Sequence, residues 1–218
     1  MLFSEALETA NEKLTSAGVT SPSVDAELLA CFVLGLQRSE LTMALIREEL
    51  FPKDKIGKFE AAVARRVKRE PLQHITGLAP FRYIELHVGP GVFTPRPETE
   101  QLVELAISHV KNVQRPVVVD LCSGSGAIAI ALTTELTDPS VYAVELSEPA
   151  FKFLARNFEK YGLDAKNAKN EDLANAFDEL EGQVDLVISN PPYIPDSAVP
   201  VDLEVQLHEP SLALYGGK

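Results

Sequence analysis

The sequence predicts an α/β protein in which a Rossmann-like, doubly wound parallel sheet follows a small N-terminal helical bundle. Two patterns indicate the sheet: short apolar segments alternate with helical segments between residues 115 and 194, and a glycine-rich turn joins one such segment to the next helix. A third pattern, apolar residues at helical spacing without strand signals over residues 1–70, indicates the bundle.

Length and composition are consistent with this architecture. The 218 residues suffice for one medium domain and one small domain, and an apolar content of 45% supports a packed core. The net charge of −12 opposes a duplex-DNA binder, which usually carries a basic face to neutralise phosphates. We therefore expect no stable nucleic-acid binding.

The cysteine pattern and the N-terminus favour a cytoplasmic protein. Cys31 and Cys122 lie far apart without the spacing of a metal site, which suits a reducing compartment and predicts no metal. The first residues lack the basic and apolar regions of a signal peptide. The longest apolar stretch, residues 28–36, is too short to span a bilayer, so we expect no membrane partner.

Residues 1–70 are predicted to form the helical bundle. Helices are expected at 4–17, from 21 to Gly35, at 40–46, and after Pro52 until Pro71 ends the pattern. The run 65–69 is densely basic, and we interpret it as a solvated face near a helix C-terminus, with contact to an anionic partner as the alternative.

Residues 71–97 are predicted to form a β-hairpin connector. Strands are expected at 72–76 and 81–88, followed by a loop rich in proline and glycine that is rigid rather than flexible. His74 and His87 are interpreted as ordinary strand residues, because no metal-type set surrounds them. A helix of about 98–111 follows, with acidic residues in its first turn.

Ligand-binding residues are expected where the predicted strands end. The strand at 116–120 runs into the glycine turn and then into a helix from Ala127, so a ligand can approach the backbone at the helix N-terminus. Glu145 ends the next strand, where a carboxylate can bind ribose hydroxyls. Asp172 is predicted to end the third strand, within reach of an adenine amino group.

The most specific segment is the hexapeptide 189–194, which follows a short apolar strand at 183–188. Its two consecutive prolines cannot donate to a sheet ladder, and they keep the preceding residues extended. The Asn190 amide, the carbonyls of Asn190 and Pro191 and the Tyr193 ring suit a planar substrate that carries an NH2 group. The alternative is an ordinary turn after a strand.

Taken together, the two motifs resemble those of methyltransferases that use S-adenosylmethionine. The turn has the pattern D-x-C-x-G-x-G rather than the G-x-G-x-x-G of NAD enzymes, and the fourth strand ends in Asn-Pro-Pro-Tyr. The resemblance extends to the HemK/PrmC family of release-factor glutamine N5-methyltransferases. It rests on residues 73–77, 90–100, 120–129 and 189–194, and on a similar tail at 204–217.

The resemblance implies a division of the chain and a set of site residues. Residues 1–70 would be a substrate-recognition domain, 71–97 the connector, and 98–218 part of the S-adenosylmethionine-binding catalytic domain. The cofactor pocket would be lined by Cys122, Ser123, Gly124, Ser125, Gly126, Glu145, Asp172, Leu173 and Asn190. The substrate glutamine would be held by Asn190, Pro191, Pro192 and Tyr193, of which Asn190, Pro191 and Tyr193 are the catalytic candidates.

Two departures from the family accompany this resemblance. Cys122 stands where the first glycine of the turn is common, which reduces the conformational freedom of that position. A methyltransferase sheet of this type has seven strands, whereas four are predicted before Lys218. We therefore expect an unpaired edge on the fourth strand and weak or no activity from the 218-residue chain alone.

Three other functions fit parts of the pattern. A ribosomal-protein glutamine is an alternative target within the same family. An N6-adenine DNA methyltransferase uses a similar Asn-Pro-Pro-Tyr segment, although the charge of −12 opposes it. A non-catalytic protein that binds the cofactor or a partner is the third.

Overall fold

The computed structural model describes residues 1–218, which divide into two compact units. One unit contains residues 1–76 and 202–208, and the other contains residues 77–201 and 209–218. The helices are α1 (Phe3–Ser16), α2 (Pro22–Leu34), α3 (Arg38–Ile46), α4 (Lys53–Val67), α5 (Leu72–Thr76), α6 (Pro97–Val110), α7 (Ala127–Glu135), α8 (Glu148–Lys160), α9 (Leu203–His208) and α10 (Ser211–Leu214). The strands are β1 (Leu78–Phe81), β2 (Ile84–His87), β3 (Val117–Leu121), β4 (Ser140–Val144), β5 (Ala168–Lys169), β6 (Leu186–Ser189), β7 (Ile194–Pro195) and β8 (Tyr215–Gly217).

The first unit is helical, as the periodicity predicts. Its core is a single apolar cluster that includes the fully buried Leu14 and Leu29, and the Phe51 ring lies 5.0 Å from Phe3 and 5.1 Å from Phe59. Gly35 ends α2 in the left-handed conformation (φ 70°), which glycine adopts without the steric cost of a Cβ.

The basic run at 65–69 is a solvated face only in part: Arg65 and Lys68 are exposed at the C-terminus of α4, whereas Arg66 and Arg69 are not. Arg66 is only 4% exposed and contacts the Asp25 carboxylate at 2.6 Å and the Glu204 carboxylate at 2.8 Å. Arg69 also contacts Glu204, at 3.0 Å, and Arg65 pairs with Glu70. Carboxylates of the same unit, including one on α9, neutralise these guanidinium groups, because a buried charge needs a partner.

The predicted strand at 72–76 is also wrong, because these residues form helix α5. Pro71 starts a helical turn: the amides of His74 and Ile75 donate to its carbonyl at 3.0 and 3.1 Å. Gly77 follows with φ 76°, and the two strands of the hairpin, β1 and β2, come after it in the sequence.

The second unit contains the parallel sheet, in the order β5-β4-β3-β6. The connections from β3 to β4 and from β4 to β5 run outward in one direction, through α7 and α8. β6 then returns to the other side of β3, which creates the reversal of strand order where doubly wound sheets bind ligands. The sheet places Val118, Val141 and Ile188 in an apolar core with α7 and α8.

β6 lies at an edge of this sheet, as expected, and Val187 on it is 58% exposed. The short strands β7 and β8 form a separate parallel pair directly after the Asn-Pro-Pro-Tyr segment. No single helix is long and apolar enough to cross a membrane. Helices α2 and α3 meet the length and composition criteria only when they are counted as one segment, and that segment is bent by 101°.

Candidate active site

The four parallel strands end at the same edge of the sheet, and all the predicted site residues except Gly126 line one cavity there. Cys122 follows β3, Glu145 follows β4, Asp172 comes after β5 and Asn190 follows β6. The cavity has a volume of about 650 Å³, within the usual range for small-molecule sites. It is lined by Gly91, Phe93, Pro95, Arg96, Glu98, Thr99, Leu102, Cys122, Ser123, Gly124, Ser125, Ala127, Ile128, Val144, Glu145, Leu146, Ser147, Ala150, Glu171, Asp172, Leu173, Asn190, Pro191, Pro192, Tyr193, Ile194, Pro210, Leu212, Ala213, Leu214, Tyr215 and Gly216.

The turn after β3 owes its shape to left-handed residues and to hydrogen bonds with neighbouring elements. Cys122 has φ 58° and Gly124 has φ 57°, so a non-glycine residue occupies a conformation that costs roughly 1–2 kcal/mol. The Ser123 amide donates to the Val144 carbonyl at 3.0 Å, and the buried Asn157 side chain donates to the Ser125 carbonyl at 2.9 Å. The turn is thereby attached to β4 and α8.

Gly126 is the one predicted cofactor residue that does not line the cavity. It has φ 84°, and a Cβ there would lie 2.7 Å from a methyl carbon of Leu154 on α8. The close packing of α7 on α8 therefore explains why a glycine is required at this position, and contact with the cavity does not.

Glu145 connects the turn after β3 to the start of α8. One of its carboxylate oxygens accepts from the Gly124 amide at 2.8 Å, and the other accepts from the Ser147 amide at 2.7 Å. The side chain of Asn170 donates to the Glu145 carbonyl at 2.7 Å, which also fixes the backbone there. A carboxylate is therefore held at the cavity wall beside the glycine turn.

Asp172 does not end the third strand, contrary to the sequence prediction. β5 ends at Lys169, and the Asp172 carboxylate instead accepts from the Ala174 amide at 2.9 Å, which caps a 3-10 turn at Leu173–Asn175. Aspartate favours this local hydrogen bond over a strand conformation. Asp172 and Leu173 still line the cavity, and Leu173 is 49% exposed.

The Asn-Pro-Pro-Tyr corner lies on the opposite side of β3 from Glu145. Ser189, the last residue of β6, donates its hydroxyl to the Leu121 carbonyl at 2.8 Å. The Asn190 side-chain NH2 donates to the Thr99 hydroxyl oxygen at 3.2 Å. Asn190 faces the same cavity as the glycine turn, whereas the Tyr193 side chain is mainly in solvent at 78% exposure.

The cavity is acidic. Its charged lining residues are four carboxylates, Glu98, Glu145, Glu171 and Asp172, and one guanidinium, Arg96. Arg96 is paired with the buried carboxylate of Glu209 at 2.8 Å, so its charge is already neutralised. This lining favours a ligand with positive charge.

A further acidic group lies beneath the glycine turn. Asp120 is 0% exposed, one carboxylate oxygen accepts from the Ala129 amide at 3.2 Å, and the other, Oδ1, has no hydrogen-bond partner. Burial, with the charge of Glu145 as a smaller cause, raises the pKa of Asp120 to about 7.

Two segments of the wall were not among the predicted site residues. The first is the loop before α6 together with the first turn of that helix: the Arg96 guanidinium lies over the Phe93 ring at 4.9 Å, and Thr99 on α6 contacts Asn190. The second is the tail at Leu212–Gly216, which includes most of β8. The closely spaced prolines before α6 and the glycine pair of the tail are the sequence signals that could have identified them.

No cluster of three or more His, Cys, Asp or Glu side chains is arranged to hold a metal ion. Burial raises the pKa of the Cys122 thiol, with the nearby carboxylates as further causes, so the group stays neutral near pH 7. The site thus offers carboxylates, a side-chain amide and backbone groups, and the thiol in its wall is not ionised.

Comparison with known proteins matches both parts of the chain. The sequence profile of the PrmC N-terminal domain matches residues 5–77, and that of the methyltransferase small domain matches residues 83–211. The release factor glutamine methyltransferase of Streptomyces coelicolor is 50% identical over 212 residues, which cover 96% of this chain and 72% of that protein. The protein of the same name from Bifidobacterium longum is 43% identical over 229 residues, covering 100% of this chain and 78% of that protein. The one from Corynebacterium glutamicum is 42% identical over 220 residues, covering 100% and 76%.

Proposed function

Because this chain belongs to the release factor glutamine methyltransferase family, we propose that it methylates the side-chain amide nitrogen, N5, of a glutamine in peptide chain release factors, with S-adenosylmethionine as donor. The observation that carries the proposal is the position of Asn190, which faces the same cavity as the glycine turn and Glu145. A substrate amide and a methyl donor can therefore meet there.

The residues of the cavity fit S-adenosylmethionine. We assign Glu145 to the ribose hydroxyls, Asp172 and Leu173 to the adenine, and the backbone of the turn at Cys122, Ser123, Gly124 and Ser125 to the remainder of the molecule. The acidic lining suits a ligand that carries a sulfonium and an ammonium group. When bound, S-adenosylmethionine supplies a methyl group activated by the adjacent positive sulfur.

On the substrate side, the corner supplies hydrogen-bond acceptors. The glutamine amide nitrogen is a poor nucleophile, because its lone pair is delocalised into the carbonyl group. The side-chain oxygen of Asn190 and the carbonyl of Pro191 accept its two N–H groups, which orients the nitrogen and favours the positive charge that develops on it. Pro192 and Tyr193 pack against the amide plane.

No strong base is required before the transfer. The amide nitrogen would form its new bond to the methyl carbon as the bond between that carbon and the sulfonium sulfur breaks. The sulfur would keep the bonding electrons and leave as the neutral thioether of S-adenosylhomocysteine, and the positively charged, N-methylated amide would then lose its proton readily to water. The contribution of the protein is orientation, because a nucleophile and a methyl donor that are held for in-line attack react in an effectively unimolecular step.

We assign recognition of the release factor to the helical N-terminal domain, residues 1–70. This region has a hydrophobic core of its own and matches the PrmC N-terminal domain profile, whereas the cavity is lined entirely by residues of the other unit. Binding of a large protein substrate and the chemistry are in this way assigned to different parts of the chain.

The test is to incubate the full-length protein with isotopically labelled S-adenosylmethionine and, separately, release factors, ribosomal proteins and duplex DNA. Mass spectrometry then locates the label. We expect it on one glutamine side chain of a release factor. Label only on a ribosomal-protein glutamine would change the target within the family, and label only on DNA adenine would contradict the proposal.

A further inference from the structure

We infer that Thr99 is a positioning residue for methyl transfer, because its hydroxyl holds the Asn190 side chain with the carbonyl oxygen turned toward the substrate. The inference rests on the proposed function and extends it to a residue that touches neither substrate nor cofactor in that scheme. Its basis is the hydrogen bond from the Asn190 NH2 group to the Thr99 hydroxyl oxygen, at 3.2 Å, within the wall of the cavity.

Rigid elements determine where the Thr99 hydroxyl lies. Thr99 is in the first turn of α6, directly after the helix start at Pro97, and its amide donates to the Arg96 carbonyl at 3.0 Å. Arg96 in turn is bound to the buried Glu209 carboxylate. The hydroxyl is therefore attached to a helix N-terminus that proline and an ion pair both hold in place.

The chemistry of the substrate shows why the orientation matters. A side-chain amide has an acceptor end and a donor end, and the glutamine NH2 group that is to be methylated presents only donors. Asn190 helps the transfer only if its oxygen faces that group, so its own NH2 group needs an acceptor elsewhere. Thr99 supplies that acceptor. Without it, the Asn190 amide is free to turn its donors toward the substrate.

The two variants Thr99→Val and Thr99→Ser separate this role from a packing role. Valine keeps the shape of threonine and removes the acceptor, whereas serine keeps the hydroxyl and removes a methyl group. Thr133 is a matched control, because its hydroxyl donates within α7 to the Ala129 carbonyl at 2.9 Å and it does not line the cavity.

The measurement is kcat and KM for methylation of a release factor, with the Kd for S-adenosylmethionine from calorimetry. We expect Thr99→Val to lower kcat about 3- to 10-fold, the loss of one hydrogen bond, with the cofactor Kd unchanged. Thr99→Ser and Thr133→Val are expected to stay within about twofold of the wild type.

An unchanged kcat in Thr99→Val would overturn the inference, and so would an equal loss in the valine and serine variants, since that would show a packing effect. A parallel loss of cofactor affinity would also overturn it, because the hydroxyl would then support the whole cavity. These variants are made in the full-length protein, and failure of its wild type to methylate any release factor would contradict the proposed function, and this inference with it.

Discussion

Gly216 on β8 lies so close to the backbone of Pro192 that an added Cβ would be 2.6 Å from the Pro192 carbonyl oxygen. The same Cβ would lie 3.4 Å from the Cα of Tyr193. Because the neighbouring atoms are backbone atoms, they cannot move aside as a flexible side chain would. The tail of the chain and the Asn-Pro-Pro-Tyr corner therefore fit together only with glycine at position 216.

Replacement of this glycine is expected to displace the corner. Gly216→Ala should lower the methylation rate roughly 10- to 100-fold, because catalysis is sensitive to displacements of about 1 Å. The measurement is kcat/KM with a release factor as substrate. Gly57→Ala is the control: Gly57 lies inside α4 with nothing within 4 Å of an added Cβ, so alanine should leave the rate unchanged. Wild-type turnover by Gly216→Ala would show that the corner does not depend on this contact.

The buried carboxyl of Asp120 should make folding stability depend on pH. Its pKa is about 7 in the folded protein, raised by burial from an ordinary value of 3.8. The folded state therefore binds this proton more tightly than the unfolded state does. The stabilisation is fully present below about pH 4 and is lost as the pH rises to about 7, at roughly 1.4 kcal/mol per pH unit.

Asp120→Asn provides the matching control, because asparagine cannot ionise and keeps an oxygen for the Ala129 amide. Between pH 5 and pH 8 the free energy of unfolding of the wild type should fall by roughly 2–3 kcal/mol relative to that of Asp120→Asn. Urea unfolding at the two pH values measures the difference. Parallel pH profiles for the two proteins would mean that Asp120 titrates at its ordinary pKa.

The two neighbouring arginines of α4 should differ strongly in their contribution to stability. Arg66→Met leaves the Asp25 carboxylate, whose side chain is 10% exposed, without its partner, and should cost about 3 kcal/mol. Arg65→Met breaks only an ion pair whose arginine is 47% exposed, and should cost less than about 1 kcal/mol. Thermal and urea unfolding measure both losses of stability. Equal losses in the two variants would contradict a larger contribution from the buried ion pairs of Arg66.

The helices and strands with a regular spacing of apolar residues could be predicted from the sequence, because the spacing within each of them was enough to identify it. The four main helices of the first unit and the parallel sheet from β3 to β6 belong to this class. The segment 72–76 could not be identified in this way. Its β-prone residues form a helix because Pro71 starts the turn and Ile75 becomes buried at 4% exposure.

The positions of Cys122, Glu145 and Asn190 could be predicted because parallel strands bring their carboxyl ends together. Asp172 was wrongly expected to end a strand, since its carboxylate caps a 3-10 turn instead. The contacts of Thr99 and Gly216 could not. Asn190 and Thr99 are separated by 91 residues in the sequence, and no local pattern indicates that their side chains meet. Arg66 was misread for the same reason, since its partners Asp25 and Glu204 are distant in sequence and only folding brings them together.

The most direct test of the account is the effect of Asn190→Ala on transfer and on cofactor binding, measured separately. Single-turnover methylation of a release factor gives the first quantity, and calorimetric titration with S-adenosylmethionine gives the second. The account predicts that the variant loses methyl transfer while its cofactor affinity weakens only modestly, since Glu145 and the glycine turn are intact. Near-normal transfer by Asn190→Ala would contradict the assignment of this corner as the site where the glutamine amide is held.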